Sequence, residues 1–301
     1  MVRAMLIAVL ITIGLQGNAQ TESRITRYNY FFLEAIRQQE MGNLAAAFDL
    51  LNHARDINPK APEVYYEIAG YYVAMQNSKA ARYNFEQAAK LAPDNSTYLE
   101  KLGQFYISQN NYEDALTTYE QLYTSNKTRE DVLQILYQLY GAQNNYKKMI
   151  EMIERMELLS GASEQLSLTK MQIYEQMGDK RKAQAELLRL VQKNPLELNY
   201  RVMLGNWLLQ NNKKKEAYNE YQTVLKEDPN NAAAQLSLLD YYRDTKNEKM
   251  VDELTRKLLE SKKTEKETKM ALLRQAIMDN QDDSTKDSLE VIKLFNRVQI
   301  G

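Results

Sequence analysis

The sequence predicts an all-α protein made of about eight successive antiparallel helix pairs. The main evidence is a 34-residue period that several residue types share. The 301 residues include only 10 glycines and 5 prolines, too few for a protein rich in strands and turns. Four of the prolines are separated by multiples of 34 residues, at Pro59, Pro93, Pro195 and Pro229.

Two further residue types repeat in the same register, which we number so that the prolines occupy repeat position 32. Alanine recurs at repeat position 20, at Ala47, Ala81, Ala115, Ala183 and Ala217. Tyrosine recurs at repeat position 11, at Tyr72, Tyr106, Tyr140, Tyr174 and Tyr242. The repeats run over residues 28–61, 62–95, 96–129, 130–163, 164–197, 198–231 and 232–265, and residues 266–301 form a divergent eighth with a longer hinge.

Each repeat divides into a first helix, a polar hinge and a second helix. Asparagine and glycine, which commonly end helices, occupy most of the hinges. The hinges are Gly42-Asn43, Gln76-Asn77, Asn110-Asn111, Asn144-Asn145, Gly178-Asp179, Asn212-Lys213 and Lys246-Asn247. The proline at repeat position 32 then stops the second helix, because a proline ring is not tolerated in a helix interior. Pro62 occupies repeat position 1, where a missing backbone donor is harmless.

Two apolar stripes are expected to pack against each other within each pair. At about 100° per residue, repeat positions 4, 7, 8 and 11 share one face of the first helix. Positions 20, 24 and 27 share a face of the second helix, and small residues at positions 8 and 20 let the helices approach closely. In repeat 62–95 the stripes are Tyr65, Ile68, Ala69 and Tyr72, then Ala81, Phe85 and Ala88.

Repeat 130–163 departs from this pattern at three positions. Tyr137 stands at the small position 8, Met149 replaces alanine at position 20, and Gly161 replaces proline at position 32. The pattern therefore does not determine how this repeat packs against its neighbours.

The whole pattern resembles the tetratricopeptide repeat, in which a large residue, Leu, Gly or Ala, Tyr, Ala, an aromatic residue and Pro occupy these positions. Residues 62–95 and 96–129 fit best, the latter containing LGQFYISQNNYEDALTTYEQLY. The resemblance covers essentially the whole chain after the N-terminal segment. It implies a right-handed α-solenoid over residues 20–301 and a role in binding proteins.

The resemblance also implies a concave groove, which repeat positions 2, 9 and 13 of the first helices would line, opposite the apolar stripe. Amide side chains both donate and accept hydrogen bonds, which suits an extended peptide backbone. Alternatively, the amides only keep the groove soluble, and its apolar residues pack adjacent first helices together. Position 9 carries Ile36, Gly70, Gln104, Gln138, Gln172, Asn206 and Asp240, with Tyr66, Ile107 and Leu209 as apolar neighbours.

A basic ridge is expected at repeat position 18, near the start of each second helix. It consists of Lys79, Lys147, Arg181, Lys215 and Lys249, with Glu113 as the exception. The neighbours Lys148, Lys180, Lys182, Lys213 and Lys214 are expected to thicken it. Two interpretations are open: a solvated edge, or a docking strip for an acidic partner or for lipid headgroups.

The N-terminus is typical of a secretory signal peptide covering residues 1–19. Arg3 precedes an apolar run from Ala4 to Leu15, and we expect cleavage after Ala19. An uncleaved anchor is the alternative, but this run spans only about 18 Å of a roughly 30 Å hydrocarbon core. We therefore expect an exported bacterial protein, periplasmic or associated with the outer membrane, with no transmembrane segment after cleavage.

The composition argues against catalysis, redox chemistry and nucleic-acid binding. Cysteine is absent, and the single histidine, His53, forms no catalytic or metal cluster by itself. With 39 Lys and Arg against 40 Asp and Glu, the formal charge of −1 gives no overall field that attracts nucleic acid. Repeat position 5 has no lysine, so the carboxylate clamp of chaperone-binding tetratricopeptide proteins is absent, and Trp207 is expected to pack between helices. We expect no cofactor and no metal.

One segment has a partial calcium-loop spacing. Asp279, Asp283 and Glu290 stand at the first, fifth and twelfth ligand places of such a loop. Gln281 at the third place and Ser284 in place of the required glycine do not fit it. This favours an ordinary hinge with helix-capping residues.

These observations predict a non-enzymatic protein–protein interaction scaffold of the bacterial cell envelope that binds a partner peptide or protein in the groove. The alternative is a sensor or assembly segment of a longer envelope protein, because residues 266–301 end without an evident polar capping helix. A hydrolase acting on envelope polymers would need an acid–base pair that the sequence does not offer.

Overall fold

The computed structural model describes residues 23–281, and all regular secondary structure in this range is α-helical. The all-α fold class is therefore confirmed. The signal peptide at residues 1–19, most of the second half of the eighth repeat, and Asp283, Ser284 and Glu290 of the calcium-loop spacing lie outside the described residues.

The chain forms two compact units, Met1–Gly161 and Ala162–Gly301. The described helices of the N-terminal unit are α1 at 23–40, α2 Leu44–Ile57, α3 Pro62–Ala74, α4 Ser78–Leu91, α5 Ser96–Ser108, α6 Tyr112–Ser125, α7 Glu130–Ala142 and α8 Tyr146–Ser160. Those of the C-terminal unit are α9 Glu164–Gln176, α10 Lys180–Lys193, α11 Leu198–Gln210, α12 Lys214–Glu227, α13 Ala232–Asp244, α14 Glu248–Glu260 and α15 Lys266–Gln281. Odd-numbered helices are the first helices of the predicted repeats, and even-numbered helices are the second.

Helices pack in the predicted pairs within each unit. The contact is most extensive inside the pairs α3/α4, α5/α6, α7/α8, α9/α10 and α11/α12. Within each unit a second helix also contacts the first helix of the next pair, as α4 contacts α5 and α12 contacts α13. The pair α13/α14 is looser than the others, since α13 contacts α14 no more extensively than it contacts α12.

The hinges inside the pairs begin with a residue in the left-handed conformation, with φ between 54° and 79°. At Gln76 the backbone N–H donates to the carbonyl of Val73, and the N–H of Asn77 donates to the carbonyl of Tyr72. This is the Schellman arrangement, which satisfies carbonyls at the end of a helix. The next helix starts at once, because the Asn77 side chain accepts a hydrogen bond from the N–H of Ala80 at 3.1 Å.

The other hinges repeat this geometry with few exceptions. The left-handed residues are Gly42, Gln76, Asn110, Asn144, Gly178, Asn212 and Lys246, the first residues of the predicted hinges. The following residue caps the second helix through its side chain at Asn77, Asn111, Asn145, Asp179 and Asn247. Asn43 and Lys213 begin their helices without such a bond.

The prolines act as predicted. Second helices end at Ile57, Leu91, Lys193 and Glu227, each two residues before the proline at repeat position 32. Pro62 lies at the first position of α3. Where Gly161 replaces this proline, α8 runs to Ser160 and the chain then adopts φ 86°, and the two compact units divide there.

In the pairs α5/α6 and α11/α12, a tyrosine ring of the second helix lies against a glycine of the first. A Cβ added to Gly103 would lie 2.7 Å from the ring of Tyr119, and one added to Gly205 would lie 2.4 Å from the ring of Tyr221. Both rings are almost completely buried, as are the alanines at repeat position 20. Close approach at position 8 was predicted, but the space serves the ring of position 24 rather than a second backbone.

We predict that Gly103→Ala destabilises the protein by about 1–3 kcal/mol, because the new methyl group must displace the buried ring of Tyr119. Gly70→Ala is the matched control, since Gly70 is exposed on α3 and a Cβ there would meet nothing within 4 Å. We expect Gly70→Ala to stabilise by about 0.5–1 kcal/mol through helix propensity. Urea unfolding followed by circular dichroism measures both, and equal effects of the two substitutions would contradict the packing account.

Candidate functional site

The residues predicted to line a groove lie away from the core in both units. At repeat position 9, Gly70, Gln104, Gln138, Gln172 and Asp240 are exposed, while Ile36 and Asn206 are half-buried. Their apolar neighbours Tyr66, Ile107 and Leu209 are half-buried as well. The helical periodicity therefore predicted the outward face of the first helices correctly.

In the N-terminal unit the exposed amides are only weakly engaged. The Gln104 side chain lies 3.4 Å from Glu100 and from Lys101, both on the preceding turn of α5. Gln138 on α7 makes no side-chain hydrogen bond within residues 23–281. Both amides are therefore free to exchange their present contacts for those of a ligand.

Tyr66 has a packing role in this unit. Its ring centroid lies 5.2 Å from that of Tyr98 on α5 and 6.3 Å from that of Phe85 on α4. Burial raises the pKa of the Tyr66 hydroxyl, in line with a ring held between helices. This contact matches the alternative in which the apolar neighbours of the groove pack adjacent first helices together.

In the C-terminal unit the residues at position 9 differ in whether their side chains are bonded within the fold. Gln172 on α9 is exposed and makes no side-chain hydrogen bond within the described residues. The Asn206 carbonyl accepts a hydrogen bond from the buried Tyr221 hydroxyl at 2.8 Å, and Asp240 pairs with Arg243 at 3.3 Å. Asn206 therefore helps to hold the core ring of its own pair.

The five residues of the basic ridge are all exposed: Lys79, Lys147, Arg181, Lys215 and Lys249. None of them forms an ion pair within the part of the chain that the structure describes. Among the neighbours that were expected to thicken the ridge, Lys180 and Lys182 are also exposed, while Lys148, Lys213 and Lys214 are half-buried.

Four of these neighbours make contacts within the fold. Lys148 pairs with Glu151 at 2.8 Å, and Lys214 pairs with Asp244 at 2.6 Å. Lys213 donates to Gln184 at 2.6 Å and lies 5.7 Å from the Trp207 ring, while Lys182 lies 5.3 Å from the Tyr174 ring. The neighbours that were expected to thicken the ridge are therefore partly engaged with other side chains.

Successive pairs are joined by polar bonds that the sequence analysis missed. The Tyr106 hydroxyl donates to Glu86 at 2.7 Å, and the Tyr140 hydroxyl donates to Glu120 at 2.5 Å. Burial and the neighbouring carboxylate raise the pKa of both hydroxyls. The signal in the sequence was a glutamate at repeat position 25 followed by a tyrosine at position 11 of the next repeat.

A buried ion pair occupies the core of the α9/α10 pair. Lys170 is only 4% exposed, and its Nζ lies 3.0 Å from Glu186, which also pairs with Arg189 at 2.7 Å. Arg189 in turn donates to the hydroxyl of Ser167 at 2.8 Å. Repeat position 7 is otherwise leucine or isoleucine in the well-fitting repeats, so a lysine there was a detectable departure. Buried pairs of this kind favour one packing arrangement more than they add stability.

His53 and Trp207 lie in different environments. His53 is exposed, with its ring 4.3 Å from that of Phe31. Trp207 is buried and its Nε1 donates to Glu175 at 2.9 Å, which confirms its packing role. Residues 23–281 contain no group of three His, Cys, Asp or Glu side chains that could hold a metal ion. None of the described helices has the length and hydropathy of a membrane span.

We predict that Tyr140→Phe destabilises the protein by about 1.5–3 kcal/mol, because it removes a part-buried hydrogen bond to a carboxylate. Tyr83→Phe is the control, since Tyr83 is 56% exposed and makes no hydrogen bond within the described residues. The control should change stability by less than about 0.5 kcal/mol. Thermal and urea unfolding of the two variants provide the measurement, and a neutral Tyr140→Phe would show that the bond does not join the pairs.

Comparison with known proteins agrees with this architecture. The sequence matches the tetratricopeptide repeat family over residues 66–129 and 168–232. No curated protein matches the sequence. Among solved structures, a complex of Naa15 and Naa10 bound to HypK-THB is 14% identical, with a TM-score of 0.61 over 90% of this chain and 42% of that one. The chain thus spans less than half of that protein, and the likeness concerns the fold alone.

Two smaller tetratricopeptide proteins are also similar. One from Parabacteroides merdae is 14% identical, with a TM-score of 0.42 over 91% of this chain and 99% of that one. The other, YrrB, described as having an unusual peptide-binding site, is 19% identical, with a TM-score of 0.36 over 57% of this chain and 88% of that one. The family match, the 34-residue period and the helix pairs agree on the same repeats. This chain is therefore a tetratricopeptide repeat protein, and its fold is that of a protein–protein interaction scaffold.

Proposed function

We propose that the protein is a non-enzymatic scaffold of the bacterial cell envelope that binds an extended segment of a partner protein across the outward faces of its first helices. The observation that carries this proposal is the set of exposed glutamines at repeat position 9. Gln104, Gln138 and Gln172 are exposed, while the amides of the helix caps and of Asn206 are used within the fold.

The chemistry of these glutamines suits a peptide backbone. Each amide offers two donors and one acceptor, and a peptide backbone offers one of each per residue. Packed helices lie about 8–10 Å apart, and an extended peptide advances about 3.3 Å per residue. Amides on neighbouring first helices therefore match roughly every third residue of an extended ligand.

A scaffold role also fits the absence of reactive groups from these faces. Glu100 and Lys101 lie beside Gln104 and supply charge, and the half-buried Tyr66 and Ile107 on the first helices α3 and α5 supply apolar area. Such surfaces bind by contact and complementarity. The tetratricopeptide fold is typical of proteins without catalytic activity.

The envelope location is supported by the N-terminal segment, with Arg3, the apolar run from Ala4 to Leu15, and the small residue Ala19. We predict that the protein isolated from its native bacterium begins at Gln20. Mass spectrometry of the intact protein in fractionated cells measures this. A chain that retains residues 1–19 in the cytoplasmic fraction would refute the export proposal without affecting the scaffold proposal.

We predict that the double substitution Gln104→Ala/Gln138→Ala weakens partner binding through the N-terminal unit, and that Gln172→Ala weakens binding through the C-terminal unit. Loss of two or three hydrogen bonds to a backbone should lower affinity about tenfold or more. The partner is recovered by crosslinking in intact cells followed by mass spectrometry, and its affinity is then measured with purified proteins.

The matched control replaces three amides on second helices, Gln87, Gln192 and Asn219, by alanine. These lie on α4, α10 and α12, which are second helices and not part of the proposed binding surface. Thermal unfolding must remain unchanged in all variants. Unaltered affinity of the glutamine variants, or an equal loss in the control, would rule out the first-helix faces as the binding surface.

A further inference from the structure

A cleft of about 400 Å³ opens in the C-terminal unit between α12, α13 and α14. The side chains of Leu238 and Leu254 form an apolar part of its lining. Tyr218, Tyr242 and Glu253 supply rings and a carboxylate. The cleft lies where α13 and α14 contact each other less extensively than the helices of earlier pairs.

At the equivalent place in the N-terminal unit, between α4 and α6, an ion pair joins consecutive second helices. Arg82 on α4 pairs with Asp114 on α6 at 3.0 Å. The residues at the same repeat positions around the cleft are Tyr218 and Met250, which cannot form this bridge. The second helices α12 and α14 therefore lack the ion pair that joins α4 and α6.

The bridging arginine also binds an aromatic ring and a second carboxylate. The Arg82 guanidinium lies 5.3 Å from the centroid of the Tyr106 ring and 2.7 Å from Glu86. Between α6 and α8, Arg155 fills the corresponding gap in a similar way, 4.9 Å from the centroid of the Tyr123 ring and paired with Glu151. At two places in the N-terminal unit an arginine thus occupies the space between consecutive second helices.

The cleft keeps the tyrosine that the arginine contacts but not the arginine itself. The two carboxylates that pair with Arg82 are replaced, Glu86 by Gln222 and Asp114 by Met250, and the carboxylate that lines the cleft is Glu253. Tyr242 stands at the repeat position of Tyr106, and the Tyr218 ring lies beside it with centroids 6.5 Å apart. Burial and the hydrogen bond with Tyr218 raise the pKa of the Tyr242 hydroxyl to about 12, and Glu253, exposed on α14, adds a smaller contribution. Glu253 makes no ion pair within residues 23–281.

We propose that this cleft binds an arginine side chain presented by a partner protein. The guanidinium lies against the rings of Tyr218 and Tyr242 and pairs with Glu253, while the aliphatic stem contacts Leu238 and Leu254. The inference rests on the proposed scaffold function and deepens it, because it names a chemical group that the partner must carry. The cleft is lined by α12, α13 and α14 and uses none of the glutamines at repeat position 9, so it is independent of them.

Lys257 also lines the cleft, and its positive charge has to be weighed against Glu253 when the charge of the ligand is inferred. It stands at the repeat position of Arg155, is exposed, and makes no ion pair within the described part of the chain. An arginine ligand is repelled by Lys257, whereas a carboxylate ligand would need it. The negative faces of two tyrosine rings and the free Glu253 favour the cation.

The test uses a small probe, so its result does not depend on the identity of the partner. N-acetyl-arginine amide is titrated into the full chain, and the methyl resonance of Met250, which lines the cleft, is followed by NMR. N-acetyl-citrulline amide has the same shape without the charge and serves as the control ligand. We expect a saturable shift with the arginine probe and binding of the citrulline probe about fivefold weaker or more.

Three variants make the assignment specific. Glu253→Gln should weaken arginine binding about fivefold or more, and Lys257→Gln should strengthen it. Tyr218→Arg places a guanidinium where Arg82 has one and should abolish probe binding without lowering the thermal unfolding temperature. Both changes on α14 are at exposed positions, so the fold is retained in at least these two variants.

Several outcomes overturn the proposal. An absent or non-saturable shift of Met250 would do so, as would equal binding of the citrulline probe. A loss of binding in Lys257→Gln would indicate an anionic ligand instead. If the arginine probe binds but the glutamine variants leave partner binding unchanged, the cleft is supported as an arginine site and the first-helix faces are ruled out as the binding surface. The two proposals can therefore be refuted separately.

Discussion

The structure depends on the burial of apolar stripes between the two helices of each pair. In two pairs a glycine at repeat position 8 leaves space for a tyrosine ring: Gly103 receives Tyr119 and Gly205 receives Tyr221, and both rings are almost completely buried. The buried alanines at repeat position 20 belong to the same stripes and recur with the 34-residue period.

Contacts between successive pairs combine apolar packing with hydrogen bonds and ion pairs. The rings of Phe85 and Phe105 pack across one such boundary with centroids 5.4 Å apart, and Tyr106 donates to Glu86 across the same boundary. Exposed ion pairs such as that of Arg82 and Asp114 contribute little to stability, so repeats can diverge at these positions without losing the fold. The cleft beside Tyr242 lies where the positions of that ion pair carry Tyr218 and Met250.

First and second helices contribute differently to the surface of the protein. First helices present exposed glutamines outward, and their inner stripe holds the pair together. Second helices carry most of the lysines near the hinges, but several of these cations are held by neighbours, as Lys213 is by Gln184 and Trp207. Surfaces for partners are therefore restricted to groups that the packing does not use, and those groups are few enough to be tested individually.

The sequence by itself determined the repeat boundaries, the hinges, the helix ends and the buried stripes, because each depends on residues that are close along the chain. A left-handed residue followed by a capping asparagine, or a proline two residues after a helix, needs only local chemistry. The period then extends the local pattern over the whole array. The outward direction of Gln104, Gln138 and Gln172 also follows from helix geometry alone.

Only the tertiary structure decided which polar groups are free. Lys213 and Lys215 are two residues apart and look equivalent in the sequence, yet one is bound to Gln184 and the other is exposed. The buried pair of Lys170 and Glu186 and the cleft at Tyr218 likewise depend on side chains that lie 16 or more residues apart in the chain. Whether such groups meet is set by the distance between packed helices, which is a property of the assembled pairs and not of any one segment.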